Sequence, residues 1–275
     1  MAESGQYDPL LPSRGLVSRK GAPLLRIGHK GADALVSGNT VASFEKAVEV
    51  GVDAIELDVL WTEDGHPAIH PQERTGLVVA HDWAAAAAAA GSGRELTLDE
   101  ALAAFTRPPL DRVVIHLDIK LPGRDDEVVE AVRRHGLEER TSVSTMEIST
   151  LNRIGRIKRE LGVETGLSLG WTVPRVTRDW LAMPGAMKPL LAMGLASLRL
   201  RLPGQVRRGL PGLDIDSIWA FHGVVTSRLV DVVHAAGLGL NVWTVDDPAR
   251  VDAMLELGVD GVCSNDPRLL NRQAP

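Results

Sequence analysis

The stretch Ala54-Ile55-Glu56-Leu57-Asp58-Val59 decides how this chain of 275 residues is read. Apolar and acidic residues alternate there with the period of a strand. Glu56 and Asp58 therefore share one face, and Ile55, Leu57 and Val59 the other. The apolar face calls for a cover of helices. The acidic face calls for solvent or a cation, because two unneutralised carboxylates are costly to bury together.

Outward from this strand, short branched apolar runs alternate with helix-period segments along nearly the whole chain, the pattern of βα units around a parallel sheet. The strand candidates are Leu24–Gly28, Ala54–Val59, Leu77–His81, Arg112–Asp118, Thr141–Ser144, Glu164–Leu169, Asp216–Phe221, Leu238–Trp243 and Asp260–Cys263. Between Ala54–Val59 and Leu77–His81 no helical pattern intervenes, only the hairpin dipeptide Asp64-Gly65 and a polar loop. Parallel neighbours need a longer crossover, usually helical. Leu77–His81 is therefore expected to return antiparallel above the mouth. The remaining strands make an α/β fold, a single (β/α)8 TIM barrel with a short antiparallel hairpin excursion after strand 2.

Helix boundaries are marked by their caps. Asn39 is placed to cap Thr40–Val50, which Gly51 stops. Thr97 and Glu100 form a capping box ahead of Ala101–Phe105. Asp247 precedes Pro248 at the start of a helix ending at Gly258. Further helices are expected over Asp125–His135, Glu147–Leu161 and Thr226–Ala236. Residues 1–22 lack an apolar export core and read as a flexible leader, with 23–275 as one barrel domain. The longest apolar run, Trp83–Ala90, is far short of the ~20 residues that span a bilayer.

Composition excludes several classes of function. The chain is 44% hydrophobic and 24% charged, as folded proteins are. A net charge of −6 argues against nucleic-acid binding. A single cysteine, Cys263, rules out an internal disulfide and a cysteine-rich zinc site, and points to a reducing, cytoplasmic setting. The segment Val176–Arg208 is long, apolar and basic together. It reads either as a barrel helix with its connection or as a surface for peripheral lipid contact. Pro184, Pro189 and Pro203 are expected to break it.

Functional groups in such a barrel sit at the carboxyl ends of the strands. Glu56 and Asp58 point inward, and Asp118 on the next barrel strand offers a third carboxylate. Three carboxylates suit a hard divalent metal ion, Mg2+ or Ca2+. The alternative is neutralisation by Lys30 or Lys120 alone. His29 and His81 approach this cluster from different loops, as a pair able to give and take protons near neutrality. His70 competes with His81 for the second position. Asp82 favours His81, and Val78-Val79-Ala80 makes a better strand than Pro67–Ile69.

Taken in order, these pieces resemble the glycerophosphodiester phosphodiesterase family. The matching stretches are Ile27-Gly28-His29-Lys30-Gly31, Gly38-Asn39-Thr40, Glu56-Leu57-Asp58-Val59, Val78-Val79-Ala80-His81-Asp82 and Leu117-Asp118-Ile119-Lys120. Val242-Trp243-Thr244-Val245, Asp247-Pro248, Gly258-Val259-Asp260-Gly261 and Asn265-Asp266-Pro267 complete the set. The resemblance implies a metal-dependent hydrolase of small glycerophosphodiesters, with His29 and His81 as the acid–base pair and Glu56, Asp58 and Asp118 as metal ligands. It also implies that Lys120 contacts the phosphate and Trp243 walls the substrate pocket. Lys30 stands where the family has arginine and keeps the charge without the bidentate geometry. Gly38 and Asp118 each replace a glutamate. A related implication is headgroup cleavage of a lysophospholipid-like substrate, and a third is a silent phosphate-binding barrel.

Overall fold

The computed structural model describes residues 23–61, 67–69, 96–161, 166–175 and 188–271. The elements are β1 (Leu25–His29), α1 (Val41–Val50), β2 (Ala54–Trp61), β3 (Pro67–Ile69), α2 (Leu98–Phe105), β4 (Val114–Ile119), α3 (Asp125–Arg134) and β5 (Thr141–Thr145). They continue as α4 (Ile148–Leu161), β6 (Ser168–Val173), α5 (Lys188–Gly209), β7 (Ser217–Phe221), α6 (Ser227–Ala235), β8 (Gly239–Trp243), α7 (Pro248–Leu257) and β9 (Gly261–Ser264). The strands run β1-β9-β8-β7-β6-β5-β4-β2, and β1 also pairs with β2, which closes eight parallel strands into a TIM barrel.

The antiparallel strand on β2 is Pro67–Ile69, with Ile69 opposite Val59 and Pro67 opposite Trp61. The strand expected at Leu77–His81 lies outside the described residues, as do His70, His81 and Trp83–Ala90. Pro67–Ile69 pairs with β2 although Pro67 gives this segment the weaker strand composition.

Most caps stand where their residue types place them. Thr97 and Glu100 form the reciprocal capping box, Asp247 caps α7 with Pro248 at its start, and Gly51 closes α1 in the left-handed conformation. Three expectations are corrected. Thr40, not Asn39, caps α1 by accepting from the Ser43 amide, because Asn39 itself takes a positive φ of 53°. Pro203 does not break its segment either, since α5 runs through it to Gly209. Strand β6 begins at Ser168, later than the Glu164 start expected.

Strand alternation sorts the core into two layers. Outward residues such as Ile55, Leu57, Ile115, Leu117 and Val143 pack under the helices. Inside the barrel, Ile27, Ala54, Val114, Trp219 and Cys263 form a small separate cluster. Trp219 fills this interior because β6 carries glycine at 170. A Cβ there would lie 2.6 Å from the indole ring. In the outer layer the fully buried Phe44 and Phe105 rings meet at 5.3 Å. Phe105→Ala should cost about 3–5 kcal/mol, read as a lower denaturation midpoint at unchanged slope.

Candidate active site

The inward face of the barrel turns polar towards the carboxyl ends of its strands. Glu56 and Asp58 are 4% and 3% exposed, so both carboxylates are buried at the mouth. The backbone after β1 brings the next groups to them. Lys30 adopts a positive φ of 52°, and its amide donates to Glu56 Oε2 at 3.1 Å. His29 Nε2 lies 3.8 Å from the same oxygen. Ligand atoms of His29, Glu56 and Asp58 all fall within 4.8 Å of one another, the spacing of a divalent-ion site.

Two lysines hold the acidic pair. Lys120 Nζ is 2.6 Å from Asp58 Oδ1 and also binds Asp118, and Lys30 Nζ is 3.3 Å from Asp58 Oδ2. Asp118 is therefore joined to the cluster through Lys120 and is not among the donors grouped with His29. Its other oxygen accepts from Ser144 Oγ at 2.9 Å, and Ser144 is tied to Thr172 and His116, both at 3.0 Å. His116 stacks on Trp219 at 3.6 Å. Nothing in the local sequence marks His116, since its role depends on β5, β6 and β7 standing beside it.

These charges separate two neighbouring carboxyls. Burial, and then the charge of Asp58, pushes Glu56 well above the usual carboxylate range. Burial acts in the same direction on Asp58, but Lys120 and Lys30 outweigh it and hold Asp58 well below that range. Lys120 is raised well above an ordinary lysine because Asp118, Asp58 and Glu56 outweigh its burial. Burial lowers His29, opposed by the Asp58 charge, so its imidazole is neutral at neutral pH.

On the far side of the mouth, His29 Nδ1 meets Asn265 Oδ1 at 2.6 Å. Asn265 follows β9, and Asp246, in the loop after β8, receives both its backbone and side-chain amides. Trp243 closes β8 and lines the same cavity as His29, Glu56, Asp118 and Lys120. Gly38 is also accounted for. A Cβ there would lie 2.6 Å from Asp33 Oδ1, which instead accepts from the Gly38 amide at 2.9 Å. An acidic group therefore still stands beside position 38, carried by Asp33.

A (β/α)8 barrel with buried carboxylates, lysines and a neutral imidazole at the mouth is an enzyme built for an anionic substrate. The chain belongs to the glycerophosphoryl diester phosphodiesterase family, whose model matches residues 29–102 and 126–269. Asp118 and Lys120 fall between the matched blocks, so their place in the site rests on geometry.

A glycerophosphodiester phosphodiesterase of Caldanaerobacter subterraneus subsp. tengcongensis is 26% identical, the match covering 90% of this chain and 96% of that protein. A solved structure from Silicibacter pomeroyi is 21% identical with a TM-score of 0.68, covering 94% of this chain and 95% of that one. A phosphodiesterase from Oleispira antarctica, solved with the product sn-glycerol-3-phosphate, is 18% identical with a TM-score of 0.60 and covers 89% and 94%. Among the described residues no helix is long and apolar enough to cross a membrane.

Proposed function

We propose that this enzyme hydrolyses small glycerophosphodiesters to glycerol 3-phosphate and an alcohol, with a divalent cation, Mg2+ or Ca2+, at Glu56 and Asp58. The observation that carries this reading is the close grouping of His29, Glu56 and Asp58 beside two lysines. Family membership and the product held by the Oleispira relative support the substrate class. The two buried carboxylates are oxygen donors that fit such an ion, with His29 Nε2 beside them left for proton transfer, and Asp118 would join the donors through a shift of Lys120 or a bridging water. Once bound, the ion would supply positive charge to the phosphoryl oxygens.

The remaining work falls to side chains of the chain itself. Lys30 and Lys120 face the negative charge that grows at phosphorus, and Trp243 walls the pocket. His29 exchanges a proton at Nε2, and His81 supplies the complementary transfer at the other oxygen. His29→Ala with folding retained is one check of that pairing. Separate His70→Ala and His81→Ala variants decide the second histidine, since only the true partner should lose about 10²–10⁴-fold in kcat. The single buried cysteine agrees with a cytoplasmic setting.

The deciding assay follows glycerol 3-phosphate released from glycerophosphocholine with and without excess chelator. Turnover should vanish in chelator and return with Mg2+ or Ca2+. Undiminished turnover in chelator would remove the metal role, and no product from any glycerophosphodiester would remove the activity.

The raised Glu56 gives a second, substrate-free check. Below its titration point the carboxyl carries a proton that an incoming cation must displace. Calorimetry should therefore find metal affinity rising with pH, by at most about tenfold per unit, until Glu56 is ionised. Affinity independent of pH would take Glu56 out of the ligand set.

A lipid-directed reading has one observation in its favour. Helix α5 carries five basic residues and no acidic one, and exposes Met193 at 69% and Leu200 at 78%. Faster turnover of lysophosphatidylcholine than of glycerophosphocholine would select it.

A further inference from the structure

We infer that Asp246 and Asn265 form a positioning relay that fixes which nitrogen of His29 is free to act. The inference rests on the functional reading above only for its link to turnover.

Asp246 lies in the loop after β8, while Asn265 immediately follows β9. The carboxylate of Asp246 accepts three hydrogen bonds. Its Oδ1 takes the Asn265 amide at 2.8 Å and Ser264 Oγ at 3.0 Å, and its Oδ2 takes Asn265 Nδ2 at 2.6 Å. An ionised carboxylate only accepts, so the side-chain amide of Asn265 must turn its nitrogen towards Asp246. The flipped amide would set oxygen against oxygen. The backbone of Asn265 is held as well, because its carbonyl accepts from the Ala34 amide at 2.9 Å.

With that orientation fixed, Asn265 Oδ1 faces His29 Nδ1 at 2.6 Å. This oxygen cannot donate, so in the neutral ring Nδ1 must carry the proton. The lone pair is then left on Nε2, the nitrogen 3.8 Å from Glu56 Oε2 and turned into the site. Both roles open to His29, taking a proton or binding a cation, need that lone pair on Nε2. An asparagine in this position orients the ring without placing a full charge on it, unlike a carboxylate partner. Asp246 and Asn265 are thus positioning residues that act through His29.

The experiment is 15N-edited NMR of the histidine rings in the full chain, with His29 assigned by difference from His29→Gln. The wild-type ring is expected to carry its proton on Nδ1. In Asn265→Ala, and in the isosteric Asp246→Asn, whose amide allows Asn265 to flip, the spectrum should shift towards the Nε2-protonated form. The same variants should lose about tenfold to a hundredfold in kcat with KM little changed, the scale of effect seen when an orienting partner is removed.

A wild-type ring protonated on Nε2, or variants whose tautomer matches wild type, would overturn the relay. A changed tautomer with full kcat would overturn its catalytic use. Failure of the functional reading looks different: the wild type would release no glycerol 3-phosphate, while the NMR result would stand unaffected.

Discussion

His29→Gln is expected to lower kcat on glycerophosphocholine by about 10²–10⁴-fold, the range that a positioned acid or base contributes. Glutamine is close in length and can still meet Asn265, so the loss should not come from collapse of the mouth. The ring's side chain is 19% exposed and borders the cavity at the mouth. Thermal unfolding of the variant should therefore stay near wild type. A variant that keeps more than a tenth of wild-type kcat would end the assignment of His29 as a proton-transfer group.

The second large effect concerns Lys120. Its ammonium lies between Asp58 and Asp118 and offsets two carboxylates at once. Lys120→Met keeps the length of the stem and removes the charge, leaving Lys30, 3.3 Å from Asp58, as the nearest compensation. Removing one partner from a buried ion pair costs about 3–5 kcal/mol, which should appear as a markedly lower denaturation midpoint. Added Ca2+ should restore part of that stability, because a cation bound only by the folded state stabilises it. Turnover should fall as well, by about 10²–10³-fold if the ammonium also faces the reacting phosphate. Wild-type stability and turnover together would show that Lys120 is a spectator.

The pH dependence of stability follows from the same charges. Asp58 titrates well below its unfolded value, so its contribution is present above the unfolded carboxylate range and is lost as pH falls through its low folded value. Glu56 works in the opposite sense. Its folded value is raised, so its proton favours the folded state in acid, and that contribution is lost as pH rises through its folded value.

What could be read from the sequence, and what could not, divides along contact distance. The alternation in Ala54–Val59 was enough to place Glu56 and Asp58 on one inward face, because side-chain direction in a strand is local. The capping box at Thr97 and the Asp247-Pro248 start of α7 were equally local. The antiparallel partner of β2 at Pro67–Ile69 has poor strand composition, so its pairing with Val59–Trp61 was not legible locally, and the expected strand at Leu77–His81 lies outside the described residues. Asn39 was preferred to Thr40 as a cap because both residue types cap well, and only the backbone angle distinguishes them. Lys120 was expected to face phosphate, and its bridging of Asp58 to Asp118 depends on the β2–β4 register. His116 and Asp246 carry no local sequence signal, because their partners come from other strands and loops of the barrel.

The seam of the barrel carries a consequence for biosynthesis. β1 is held between β2 and β9, so it gains its second neighbour only when β9 has been made. His29 ends β1 and Asn265 follows β9, 236 positions apart. A nascent chain halted before β9 can possess the acidic pair, yet its imidazole has nothing to orient it. Competence therefore waits for β9 and Asn265 to be translated, and fragments stalled before them should be inert.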